Sequence, residues 1–297
     1  MKADHIPQGV VICILGGNKM KHEELDVFWQ ERKGEVPRAL TIAGSDSGGG
    51  AGIQADLKVF TALGVYGMSA LTAITAQNTQ GVRRIDTLPP AAVTSQLEAC
   101  LDDIGADAAK TGMLSSPSIV GAVADTCRRY GLKQLVVDPV MVAKSGDYLL
   151  EREARETLRE QLLPLAMVVT PNLHEAAVLA EMEVTCLSEM KEAARRIHAA
   201  GPKIVVVKGG HLQDQPLDLV YDGSEFRQLK GRRIETENNH GTGCSFSAAI
   251  TSGLALGLKP LLAIRAAKRL LTWGLKESLD LGSGHGPTNH FYYLLRE

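Results

Sequence analysis

From Arg38 onward the chain alternates short apolar runs with stretches of helical periodicity. Ala39 to Ala43 predicts a strand, followed by a glycine-rich turn and a helical pattern through Leu63, and Val65 to Thr75 predicts a second strand. Helices follow at Ala91–Asp103 and Ser118–Tyr130, with short strands at Asp107–Thr111 and Leu135–Asp138. The pattern continues with helix over Arg152–Leu163, strand over Met167–Thr170, and helices over Leu173–Ala180 and Met190–Ala200. Lys203 to Lys208 (KIVVVK) is the clearest buried strand, and Leu217–Tyr221 and Glu225–Leu229 flank Asp222-Gly223, a hairpin signal. Two helices, Cys244–Leu256 and Leu261–Leu279, close the chain. Apolar strands alternating with helices mean one doubly wound, mostly parallel α/β sheet with helices on both faces, spanning 38–297. In such sheets ligands sit beyond the carboxyl ends of the strands. Residues 1–37 do not join this rhythm. Lys21–Lys33 could form a short charged helix without a neighbour, so the expectation is a poorly ordered, solvated extension or a start that truly lies at Met20.

Composition narrows the function. Of 297 residues, 44% are hydrophobic, enough for a packed core. The net charge of -2 offers no basic excess for a nucleic-acid backbone. Val10–Leu15, the longest early apolar run, is too short for a membrane span, and no cleavage pattern follows it. Five scattered cysteines without metal-site spacing fit a reducing cytoplasm better than a disulfide framework or structural zinc. Thirty glycines, about 10% against an average near 7%, point to backbone that must approach something closely.

The glycines concentrate at strand ends. Gly44 to Gly52 (GSDSGGGAG) follows a strand and opens a helix, where free amides attract anions. Gly50 to Ala55 fits the dinucleotide pattern, but no acidic residue follows at the required distance, and no Gly-x-x-x-x-Gly-Lys motif exists. A turn without a ligand is the plain alternative. Asn238 to Cys244 (NNHGTGC) precedes an apolar helix, and Gly241, Thr242 and Gly243 would leave N–H groups free for a phosphate or a developing negative charge. Cys244 falls in the first helical turn, where the dipole is expected to lower its thiol pKa, whereas Cys100, Cys127 and Cys186 read as packing residues. Asp138 ends one strand, and Asn172 and Glu175 follow the next. Two hard oxygen donors there could hold Mg²⁺ partly through water, although either alone reads as an N-cap or solvated charge. Lys208-Gly-Gly-His211 adds a cation after a further strand. Together these ends describe a metal–nucleotide phosphate site. His174, His211 and His240 lack metal spacing and read as surface or supporting residues, while Met68, Met113 and Met141 fit a pocket or the core equally.

The stretches Ala39–Lys58, Thr75–Asn78, Lys110–Met113, Asp138–Gly146, Thr170–Glu175, Lys208–His211, Asn239–Cys244 and Gly284–Phe291 together closely resemble the hydroxymethylpyrimidine/phosphomethylpyrimidine kinases of thiamine biosynthesis. The resemblance covers about residues 38–292 with the motifs in order. It implies a ribokinase-like fold and transfer of phosphate from ATP with Mg²⁺ to 4-amino-5-hydroxymethyl-2-methylpyrimidine and then to its monophosphate. By the same match, Gly44, Asp56 and Gln77 would contact the pyrimidine and Met113 would flank its ring. Asp138 and Glu175 would organise Mg²⁺, and Lys208, with Asn172 and Glu175, would face ATP. Gly241, Thr242, Gly243 and Cys244 would surround the transferring phosphoryl, with Cys244 an assisting base or alcohol-orienting group. Lys144 would belong to a mobile cover, and the assembly would be a homodimer. Pyridoxal kinases share the fold and the Gly-Thr-Gly turn, and a non-catalytic pyrimidine sensor is the reading from a different class.

Overall fold

The computed structural model describes Phe28 and residues 35–141, 152–210 and 216–292. In chain order these form β1 (Arg38–Asp46), α1 (Gly52–Ala62), β2 (Tyr66–Asn78), β3 (Gly81–Thr87), α2 (Pro90–Asp103), β4 (Ala108–Thr111), α3 (Pro117–Arg129), β5 (Leu135–Val137) and α4 (Arg152–Thr157). Then come β6 (Val168–Val169), α5 (Leu173–Ala180), α6 (Leu187–Ala199), β7 (Ile204–Gly209), β8 (Leu217–Tyr221), β9 (Phe226–Lys230), α7 (Thr242–Ala255) and α8 (Pro260–Lys276). The strands make one sheet in the order β3-β2-β1-β4-β5-β6-β7-β8-β9. Pairing is parallel from β2 through β7, and antiparallel where β3, β8 and β9 extend the two edges.

Strand periodicity divides the core into two. On β1, Leu40 and Ile42 pack into one cluster and Ala39 into the other; on β5, Leu135 and Val137 face the first and Val136 the second. Residues of β7 alternate likewise, with Val205 and Val207 on one side and Val206 on the other. Helices α2, α3, α5 and α6 cover the first face, and α1, α7 and α8 cover the second. Burial on both sides is why these strands read as continuous apolar runs. Local signals agree with the elements: α2, α3 and α8 begin at proline, where the missing N–H costs nothing. Phe28, inside the leader expected to be solvated, is fully buried with Val59 and Phe60.

Two elements differ from expectation. β3 has no apolar stripe because it is an exposed edge strand, so hydrophobic alternation does not announce it. The helix expected through Leu163 ends as α-helix at Thr157, passes through a π-turn at Leu158–Leu162 and finishes as a 3₁₀ turn containing Pro164. Proline has no N–H for the continuing ladder. Among the described residues no helix is long and apolar enough to cross a membrane.

Candidate active site

The sheet order reverses at β1, whose neighbours are β2 on one side and β4 on the other. Beyond the carboxyl ends of these strands lies a cavity of about 850 Å³, lined in part by Gly44, Gln77, Met113, Asp138, Lys208 and Cys244. Its upper rim is the β1–α1 loop. Asp46 closes that loop by accepting N–H groups from Gly48 (2.8 Å), Gly50 (3.1 Å) and Ala51 (2.8 Å), and it lies 2.8 Å from Nε2 of His240. Burial opposes charge on Asp46, but His240 and these amides outweigh it and hold the carboxyl below the usual range. Helix α7 docks its N-terminus against the same loop. Gly241, at φ +77°, begins α7, and a Cβ there would stand 1.8 Å from the Gly50 carbonyl oxygen, so glycine is required twice over. At Gly44 a Cβ would lie 2.8 Å from Met113 Cε, the movable end of a side chain.

The cavity floor carries charge. Asp138, just after β5, accepts from Lys208 Nζ, Thr170 Oγ1 and Ser247 Oγ, each at 3.1 Å. Burial resists its ionisation, but Lys208 and Lys110 prevail and hold the carboxyl below its ordinary value. Lys208, at the end of β7, is raised in turn, because the Asp138 and Glu175 carboxylates outweigh its own burial. Asn172 and Glu175 form the capping box of α5, with Glu175 N–H donating to Asn172 Oδ1 at 2.9 Å and Asn172 N–H to Glu175 Oε2 at 2.7 Å. Burial pushes the Glu175 carboxyl up to about 7 despite nearby Lys208. A Cβ placed on Gly243 would lie 3.3 Å from Lys208 Nζ and 3.6 Å from Asp138 Oδ2, so the α7 turn adjoins this pair directly.

Cys244 is corrected in sign. Burial, not the helix dipole, dominates: it pushes the thiol up to about 12, although Lys110 and the Gly52 N–H both favour the thiolate. Asp56 is corrected in place. Its side chain has no exposed surface, with Oδ1 on Lys110 Nζ at 2.8 Å and Oδ2 on Thr41 Oγ1 at 2.6 Å, behind the cavity wall and not on it. Burial raises the Asp56 pKa and opposes charge on Lys110 too, yet the Asp56 and Asp138 carboxylates hold Lys110 above the usual lysine value.

Of the residues singled out from the sequence, Gly44, Gln77, Met113, Asp138, Asn172, Glu175, Lys208 and Gly241 through Cys244 line the one cavity. Met68 and Met141 are core instead, and His174 lines the rim. Lys144 and His211 lie outside the described residues. His240 is not a surface residue; it is buried against Asp46 and lines the cavity. Sequence reasoning passed over Asp46 and Lys110. An acid inside a glycine run was the available signal for Asp46, while the pairing of Lys110 with Asp56 spans residues that only the fold brings together. The cavity is also lined by Asp218, Arg232, Lys268 and Leu271. Among the described residues there is no cluster of three or more His, Cys, Asp or Glu suited to a metal.

Residues 46–289 match the family model described as phosphomethylpyrimidine kinase. The chain is 51% identical over 258 residues to the hydroxymethylpyrimidine/phosphomethylpyrimidine kinase of Rhizobium meliloti, covering 86% of this chain and 97% of that protein. It is 49% identical over 262 residues to the thiamine biosynthesis bifunctional protein ThiED of Geobacter sulfurreducens, covering 87% of this chain but about half, 54%, of that longer protein. Among solved structures, an ADP complex of Bacillus subtilis pyridoxal kinase superposes with a TM-score of 0.83 at 45% identity, covering 88% of this chain and 100% of that one.

Proposed function

The chain belongs to the phosphomethylpyrimidine kinase family, and from that premise we propose that it phosphorylates 4-amino-5-hydroxymethyl-2-methylpyrimidine, then its monophosphate, with ATP as donor, for thiamine biosynthesis. One observation carries the reading at the level of chemistry. The α7 turn, the Lys208 ammonium and two carboxylates line one cavity together with Gly44, Gln77 and Met113. The first group suits a phosphoryl donor and the second a flat heteroaromatic acceptor.

In this reading Lys208 lies along the nucleotide phosphates, next to Asn172 and Glu175, and the Gly241 and Gly243 amides receive charge spreading over the phosphoryl oxygens. Asp138 and Glu175 are hard oxygen donors that line the same cavity. Those residues would hold Mg²⁺, which would supply positive charge beside the phosphates. When bound, Mg²⁺ neutralises phosphate charge. Cys244 enters as a neutral thiol, which orients the acceptor alcohol rather than waiting as a thiolate. A loose transition state needs little from a base, so positioning and electrostatics suffice.

Assembly and setting follow the same reading. The β2–β3 edge exposes Ile74 (48%) and Ile85 (36%), one on each face of the sheet, and a homodimer through this edge is the proposed state. Free Cys100, Cys127, Cys186 and Cys244 support a reducing cytoplasm. Pyridoxal phosphorylation is the second reading, favoured by the close superposition on a pyridoxal kinase. ADP release coupled to each alcohol tests both: a higher kcat/KM for the pyrimidine supports the proposal, and a higher value for pyridoxal replaces it. No turnover of either with Mg²⁺ and ATP present leaves the sensor reading.

A further inference from the structure

Lys110 is the charged residue of β4, and its side chain has no exposed surface. Across the sheet it pairs with Thr41 of β1 and Val136 of β5. With Ala108 it faces the layer of Val59, Phe60 and Val136, between the sheet and helices α1 and α7. Its Nζ donates to Asp56 Oδ1 at 2.8 Å, and Asp56 Oδ2 accepts from Thr41 Oγ1 at 2.6 Å. An ammonium has three protons, and among the described residues Asp56 is its one hydrogen-bond acceptor. Desolvation of a buried ion pair offsets much of its attraction, and apolar side chains of similar volume often serve stability as well. What the pair adds to this layer is a charge held in a fixed place.

That place is beneath the cavity floor. Gly112, two residues further along, lines the cavity, and a Cβ there would stand 3.9 Å from Lys110 Nζ. β4 lies between β1 and β5, whose carboxyl ends carry Gly44 and Asp138, and α7 packs on β4. The charge is felt there: Lys110 favours the ionised forms of both Asp138 and Cys244. At Cys244 its pull exceeds the opposing push of Asp56, so the pair is a dipole with its positive end toward the α7 turn.

We infer that Lys110 is a positioning residue for phosphoryl transfer: Asp56 and Thr41 hold its ammonium under the cavity floor, where a fixed positive charge favours the negative charge gathering on the transferring phosphoryl group. The inference rests on the kinase reading and deepens it. Lys208 lines the cavity and meets phosphate directly in that reading, whereas Lys110 acts across the floor without touching substrate. A charge already in place, away from water, needs no reorganisation at the moment of reaction and is weakly screened.

The test compares melting temperature, kcat and KM of the full chain, by ADP release with Mg²⁺-ATP and the pyrimidine alcohol, in the parent, Lys110→Gln, and Lys110→Gln combined with Asp56→Asn. The single variant leaves a buried carboxylate without its cation and should melt lower than the parent. The double variant is uncharged, joins two amides and keeps an acceptor for Thr41, so its melting temperature should return to within about 5 °C of the parent. Its kcat should stay about 10- to 100-fold below the parent, with KM for both substrates within about threefold. Stability restored without activity separates the charge from the packing. A double variant with parental kcat, or one whose kcat and KM worsen together at a lowered melting temperature, overturns the inference while sparing the kinase reading. A parent that turns over neither the pyrimidine alcohol nor its monophosphate removes both. If the double variant does not fold, Thr41→Val decides: it disturbs the same buried spot and keeps both charges. A lowered melting temperature with kcat within about threefold of the parent supports the inference, and a kcat that falls tenfold or more with stability overturns it.

Discussion

A thiol that burial raises to about 12 enters any reaction near neutral pH protonated. For Cys244 that separates shape from charge: a hydroxyl can replace the orienting thiol, but a methyl cannot. Cys244→Ser should keep kcat within about tenfold, and Cys244→Ala should lose about 10²-fold, the lower end for a positioned proton-handling group. Equal losses in both variants, measured at saturating substrate, would contradict the role. Glu175 makes a prediction with a sign. Its folded pKa near 7 exceeds the ordinary 4.5, so the folded state holds its proton more tightly. As pH rises from about 4.5 to about 7 the unfolded chain releases that proton first, and stability falls; the cost is fully present above 7. Glu175→Gln keeps an acceptor for the Asn172 N–H and removes the titration. Its melting temperature in metal-free buffer should match the parent near pH 4 and exceed it near pH 8. Parallel curves across that range would show that Glu175 is not held in this state.

At the scale of elements, the site depends on α7 meeting the β1–α1 loop backbone to backbone. Gly241→Ala combines a left-handed residue with a Cβ 1.8 Å from the Gly50 carbonyl oxygen, and backbone on both sides has no side chain to move aside. The variant should lose about 3 kcal/mol in chemical denaturation and more than 10²-fold in kcat. Parental stability would mean that the docking is looser than described. Much of this level was legible in the sequence. The boundaries of α5 and β8 coincide with the apolar pattern, because capping signals and continuous burial act locally. β3 was not legible, since an edge strand has no buried stripe. The pairing of Asp56 with Lys110 was not legible either, because those residues meet only when β4 lies beside β1. The Cys244 thiol shows the same limit: a helix N-terminus can be read from glycine and spacing, whereas the depth of burial that reverses its effect belongs to the assembled cavity.

For the whole molecule, the doubly wound sheet explains why motifs scattered from Gly44 to Cys244 share one cavity: each follows a strand whose carboxyl end points the same way. Alternating strand and helix patterns were enough to predict that convergence. They say nothing of assembly, for which the exposed Ile74 and Ile85 edge is the relevant surface. Light scattering coupled to size exclusion should give twice the chain mass, and Ile74→Lys with Ile85→Lys should shift it toward one chain. A single-chain mass for the parent would contradict the proposed dimer. The central claim is tested most directly by ADP release with Mg²⁺-ATP and, in turn, the pyrimidine alcohol, its monophosphate and pyridoxal. The account predicts turnover of the alcohol and the monophosphate, each with kcat/KM above that for pyridoxal. Pyridoxal turned over best, or no ADP above the substrate-free rate with either pyrimidine, would contradict it.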